Sequence, residues 1–155
     1  PKATRKAVPM QFSPLSEPFP EREGEWCETL INLARFLRSP QGCPWDKEQN
    51  AQDFAGYAGG EVEELREALA SGDNRHAEEE FGDCLFTLLA CAAAAEAEGR
   101  FSFAPALRRA YEKMMRRHVH VFRTDRAVTP EEAMASWNEI KIREKEERLK
   151  ENPTQ

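Results

Sequence analysis

The stretch from Phe81 to Ala95 constrains the fold most. Its only polar side chains are Asp83 and Thr87. A helix over those residues is apolar nearly all round and needs cover on several sides. It is either a central buried helix or one packed against another subunit. Its most apolar part, Cys84 to Ala95, is 12 residues long, and a bilayer span needs about 20. The cover must therefore be protein. No alternating β-type run and no internal repeat stands out, so we expect an all-α bundle of about five helices, assembled as a homo-oligomer.

Apolar spacing and breakers place those helices. Trp26, Leu30, Leu33, Ala34 and Leu37 recur at helical spacing and predict a helix over about 21–38. The run Ser39-Pro40-Gln41-Gly42-Cys43-Pro44-Trp45-Asp46 then reads as a rigid loop. A second helix is expected over about 50–70, ended by Gly72. A third follows over 75–98, up to Gly99, and a fourth over 103–118. A fifth opens at Thr129, a good N-cap, with Pro130 as its first residue, and runs to about 150. Five of the ten prolines fall in residues 1–20. The chain thus divides into a flexible arm over 1–20, a single helical domain over 21–150 and a short tail over 151–155.

Composition narrows the function. Lys and Arg number 22 and Asp and Glu 28, for a net charge of −6. A general nucleic-acid binder should be basic, so nucleic acid is not an expected partner. Charged residues make up 32% and apolar ones 40%, a globular composition with a very polar surface. No membrane span and no secretory leader are visible. Cys27, Cys43, Cys84 and Cys91 form no CxxC or Cys/His cluster of zinc spacing. They suit a reducing cytoplasm, with Cys84 and Cys91 as small core residues.

The acids carry the chemistry. On the second helix Phe54, Tyr57, Leu65 and Ala68 fall within about 40° of Glu61, which puts this carboxylate in the apolar stripe. Glu64 lies about 60° to one side, on its edge, whereas Glu63 and Glu67 point to solvent. On the third helix Glu80, Asp83 and Thr87 lie within about 60° of one another. Glu64 is as far before Gly72 as Glu80 is after it, and Glu61 and Asp83 are matched likewise. An antiparallel hairpin would bring all four carboxylates to one patch about one helical turn tall. Such a patch needs a cation, and hard Mg²⁺ or Mn²⁺ suits oxygen ligands. A di-iron site would want Glu-x-x-His, and no histidine here has a glutamate three residues before it.

Glu61-x-x-Glu64 followed by Glu80-x-x-Asp83 resembles the metal-binding signature of the all-α nucleoside triphosphate pyrophosphohydrolases, MazG among them. Further segments are similar to MazG along residues 33–145: Gly42 to Gln49, Glu80 to Phe86, Gly99 to Phe101, Arg116 to Phe122, and Trp137-x-x-x-Lys141. The resemblance implies Mg²⁺-dependent hydrolysis of an NTP or dNTP to monophosphate and pyrophosphate, clearing non-canonical or damaged nucleotides. It implies a helical homodimer or homotetramer. It assigns Glu61, Glu64, Glu80 and Asp83 to the metal and to catalysis, and Lys113, Arg117, Trp137 and Lys141 to the nucleotide. Trp45 and Asp46 are candidates for the base pocket, with loop anchorage as the alternative.

Two features depart from that pattern. Gly60 stands where the family usually has another acid, and Val119 replaces a proline common between the two histidines. The rival readings are a narrow dUTP-type pyrophosphatase and a non-catalytic helical module. His118 and His120 are read as helix-end residues that meet carbonyls rather than as catalysts.

Overall fold

The computed structural model describes residues 19–122, 126–127 and 129–153. The expected arm over 1–20 lies outside them apart from Phe19 and Pro20, as does the end of the expected tail after Pro153. Every described element is a helix: α1 (Glu23–Leu37), α2 (Pro44–Glu48), α3 (Ala51–Ser71), α4 (Asn74–Ala97), α5 (Phe103–Arg117), α6 (Val119–Phe122) and α7 (Pro130–Glu151). None is long and apolar enough to cross a membrane.

Two of these depart from the expectation. The segment taken as a rigid loop contains α2, with Cys43 at its N-cap and Pro44 in its first turn. Proline suits that place, because its missing N–H is one that has no helical partner anyway. The chain also makes the extra short turn α6 after α5.

Compact units divide after Phe103. In the first, α3 and α4 form an antiparallel hairpin, and α1 packs on α4. Local chemistry fixes the hairpin. Asn50 and Asp53 cap α3 reciprocally, at 2.8 and 2.9 Å. Gly72 closes α3 in the left-handed region at φ 77°, where a Cβ would be strained. Asp73 then caps α4 by accepting from the His76 N–H at 3.1 Å.

Small side chains make the seams. Ala51, Phe54, Ala90, Ala94 and Ala95 form one buried cluster between α3 and α4. Ala34, Ala93 and Phe103 form the other. Alanine lets helix backbones approach closely at no cost in side-chain entropy. Of the two alternatives expected for α4, central burial does not hold. Its alanines and Cys84 are covered, but Phe81 and Leu88 remain 60% and 52% exposed.

One polar residue ties α1 and α4 to Phe103, the last residue of this unit. Glu96 on α4 accepts from Arg35 Nε and Nη2 on α1, both at 2.9 Å. It also accepts from the Phe103 N–H at 3.0 Å, and Arg35 lies 4.9 Å from the Phe103 ring centre. The α1–α2 junction is equally fixed. The Cys43 N–H donates to the Leu37 carbonyl at 2.8 Å. A Cβ on Gly42 would come within 2.2 Å of that oxygen.

In the second unit α6 packs on α7, and Thr129 caps α7 as expected, accepting from the Glu132 N–H at 3.2 Å. Arg117 pairs with Glu144 at 2.8 Å. This holds the Glu144 carboxyl below the usual carboxylate range, chiefly through the hydrogen bond from Arg117.

The Arg35 hydrogen bonds, and after them the Phe103 N–H, likewise hold the Glu96 carboxyl below its ordinary value of 4.5. Its contribution to stability is therefore complete above that value and is lost as pH falls through the depressed one. Glu96→Gln should cost about 1–2 kcal/mol at pH 7, for a pair partly open to solvent. The gap to the parent should narrow below about pH 4. Urea denaturation of both proteins at the two pH values checks it.

Candidate active site

The α3–α4 seam carries the acids expected to meet, and three of them do. Oxygens of Glu61, Glu64 and Glu80 all lie within 4.8 Å of one another. Glu61 and Glu80 are half-buried and Glu64 is exposed. Asp83, the expected fourth, is not in this group and is exposed. The reason lies in azimuth. The buried seam of α4 runs through Ala77 and Cys84. Asp83 falls about 60° from Glu80 on the side away from both.

Among the described residues one basic side chain, His76, meets these three carboxylates, and it does so at Glu80. Glu80 Oε1 meets His76 Nε2 at 2.9 Å. Glu80 Oε2 is enclosed and no donor reaches it. The charges of Glu61 and then Glu80 push the Glu64 carboxyl above its ordinary value. Burial, followed by the charges of Glu61, Glu80 and Asp83, pushes the Cys84 thiol up as well. A buried oxygen without a donor, beside two further carboxylates, fits a hard cation with oxygen ligands. Glu61, Glu64 and Glu80 are the residues that would hold it.

Beside the acids opens a cavity of about 560 Å³, within the range of small-molecule sites. Glu61 and Glu64 line it together with Trp45, Asp46, Phe54 and Tyr57. Trp45 stacks on Tyr57, with ring centres 5.7 Å apart, and meets the Phe54 ring edge-on at 6.0 Å. Trp45 and Asp46 therefore sit on α2 and face a cavity shared with the acids.

Polar residues that sequence reasoning missed hold this wall. Arg38 Nη1 donates to the carbonyls of Asp46 and Gln49, at 2.6 and 2.8 Å. The Tyr57 hydroxyl donates to Gln49 Oε1 at 3.0 Å, and Gln49 Nε2 donates to the Trp45 carbonyl at 3.3 Å. The one available signal was the His76–Glu80 pair, which is spaced i, i+4. The contacts of Arg38 and Gln49 with carbonyls leave no trace in residue type.

The other expected residues lie in the second unit. Arg117 sits over the Trp137 ring, 5.1 Å from its centre, while paired with Glu144. His118 meets Trp137 edge-on at 5.2 Å. Its Nδ1 lies 2.7 Å from the Met114 carbonyl, the helix-end contact expected of it. Lys113 and Lys141 are exposed.

The fold and the site define a class: all-helical proteins that gather carboxylates between two antiparallel helices, beside an aromatic-walled cavity. Residues 49–122 match the model of the MazG nucleotide pyrophosphohydrolase domain. The crystal structure of a mazG-related protein from Thermotoga maritima superposes with a TM-score of 0.63. It is 30% identical, and the match covers 74% of this chain and 97% of that one. The nucleoside triphosphate pyrophosphohydrolase of Escherichia coli K12 is 38% identical over 119 residues, which is 76% of this chain and 45% of that protein. The uncharacterized protein YabN of Bacillus subtilis is 40% identical over 117 residues, 76% of this chain and 24% of that protein. This chain belongs to the MazG family. It spans a quarter to a half of the length of these two curated relatives.

Repulsion among the acids sets the first test of the site. With its carboxyl held above the ordinary value, Glu64 weakens the metal-free fold at neutral pH, and the strain eases as pH falls toward the raised value. Glu64→Gln should leave the metal-free melting temperature unchanged or higher, because it removes one like charge. A cation held by these carboxylates should bind the variant about tenfold or more weakly, with Mg²⁺ and Mn²⁺ as the probes. Differential scanning fluorimetry and calorimetric titration read the two effects.

Proposed function

We propose that the chain is a Mg²⁺-dependent nucleotide pyrophosphohydrolase, which splits an NTP or dNTP into monophosphate and pyrophosphate. One observation carries the reading: three carboxylates converge around the donorless Glu80 oxygen at the edge of an aromatic-walled cavity. When bound, the divalent ion supplies charge neutralisation on the triphosphate and an activated water. The protein's part is to hold and orient. Glu61, Glu64 and Glu80 present oxygens from two helices fixed by the Gly72 turn. In this reading Asp83 serves the same centre from the next turn of α4. The cavity takes the nucleoside.

Lys113, Arg117, Trp137 and Lys141 belong to the same reading as nucleotide contacts. Arg117, Trp137 and Lys141 sit in the segments similar to MazG, and Lys113 lies one helical turn before Arg117 on α5. Arg117 has the planar fork that suits phosphate, now occupied by Glu144. The reading makes residues 21–150 one functional domain of a cytoplasmic enzyme that clears non-canonical nucleotides. Exposed Phe81 and Leu88 support a homodimer or homotetramer. Light scattering of the purified chain should show more than a monomer, and a monomer alone would remove the oligomer from the reading.

The reaction is tested by its products. Incubation with a panel of NTPs and dNTPs should release monophosphate and pyrophosphate with Mg²⁺ and neither with EDTA. Glu64→Gln and Asp83→Asn should each lower kcat by at least about 100-fold, the scale on which a lost transition-state contact acts, while circular dichroism stays unchanged. Near-normal turnover of the Asp83 variant would take that residue out of the metal centre. No turnover by the parent under any metal would favour a non-catalytic module.

A further inference from the structure

The cavity holds a polar group that the acidic centre does not use. Asp46 lines it among Trp45, Phe54 and Tyr57. Arg38 binds the Asp46 carbonyl, not its side chain. Among the described residues the Asp46 carboxylate makes no hydrogen bond or ion pair. It is half-buried, and its backbone is clamped at both ends of α2, by Arg38 and by the Cys43–Leu37 bond. A carboxylate with no donor, carried on a held stretch of backbone beside flat aromatic rings, is a place for a flat ligand with N–H groups on its edge.

The floor of the cavity points the same way. Gly56 and Gly60, one helical turn apart on α3, both line it. A Cβ on either would meet nothing within 4 Å. Packing within the chain does not require these glycines, and glycine weakens a helix interior. They leave bare backbone between the aromatic end and the acidic end, where a ligand can approach closely.

We propose that Asp46 is the specificity-determining residue and that the cavity takes a purine offering two adjacent N–H donors on one edge, as guanine and its 8-oxo form do. The proposal rests on the pyrophosphohydrolase reading and names its preferred substrate. The two oxygens of a carboxylate are acceptors only. Guanine matches them with its ring N1–H and its 2-amino group. Hypoxanthine keeps the N1–H and lacks the amino group. Adenine sets a ring acceptor beside its amino group, and so does cytosine. Uracil and thymine flank their single N–H with carbonyl oxygens, which repel a carboxylate. The partly exposed rings of Trp45 and Tyr57 offer stacking to any of these bases alike, so discrimination falls to the edge. Asp46 also stands in the first turn of α2, where an acid complements the helix dipole. That role alone would be blind to the base.

The test compares dGTP, dITP, dATP and dUTP turnover with Mg²⁺, and dGMP, dIMP and dUMP binding by calorimetry, in the parent and in Asp46→Asn. We expect kcat/KM for dGTP to exceed that for dUTP by about 10- to 100-fold, the range of a bidentate edge contact, with dITP between them. Asp46→Asn should collapse that order and the matching order of monophosphate affinities, with an unchanged circular dichroism spectrum. A flat or pyrimidine-first order in the parent overturns the proposal. So does an Asp46→Asn protein that loses activity equally on all bases, which is the mark of a merely structural residue. If nothing is turned over, the pyrophosphohydrolase reading fails and the monophosphates decide the base alone. Binding of dGMP over dUMP that depends on Asp46 then sustains the proposal, and equal or absent binding overturns it.

Discussion

Like-charge repulsion at the α3–α4 seam is the constraint around which the first unit is built. Three carboxylates within 4.8 Å of one another push two helices apart unless something stronger holds them together. The alanine clusters on the same seam do so by burying apolar surface at short range. The turn at Gly72 and the caps at Asn50 and Asp73 fix where each helix starts and stops. The relative height of the acids follows from that geometry. The site is thus a strained element on a rigid support, as expected where function and stability compete.

The aromatic wall depends on a different kind of bond. It is held by donors to carbonyls from Arg38 and Gln49 rather than by a large apolar core. Such contacts fix a short helix that could not be stable by itself. They also leave Trp45 and Tyr57 half exposed, at 51% and 45%. One end of the cavity is therefore defined by charge and the other by rings, on elements secured independently.

Much of this was legible in the residues. The 3.6-residue period set Glu61 in an apolar stripe, and symmetry about Gly72 matched Glu64 to Glu80. That symmetry gives height along the hairpin but not rotation about each axis. Asp83 therefore joined the predicted patch and not the observed one. α2 was hidden because two prolines and a glycine dominated the reading of residues 39–46, although Pro44 after Cys43 is itself a helix-start pattern. The Arg117–Glu144 pair joins residues 27 apart, beyond any local spacing rule. The Arg35–Glu96 tie, across 61 residues, was equally out of reach.

The tight turn at Gly42 bears on how this site can change. No side chain fits at that position, because the Leu37 and Phe36 carbonyls already occupy the space. The strap carrying Trp45 and Asp46 has no slack, so lengthening it or kinking it would detach the wall from α1. New ligand preferences in such a lineage must then arise by exchanging the side chains on the strap and the small residues opposite, with the path of the backbone kept. Ligand choice and chain geometry are in this way separable during evolution, and single substitutions are the natural steps.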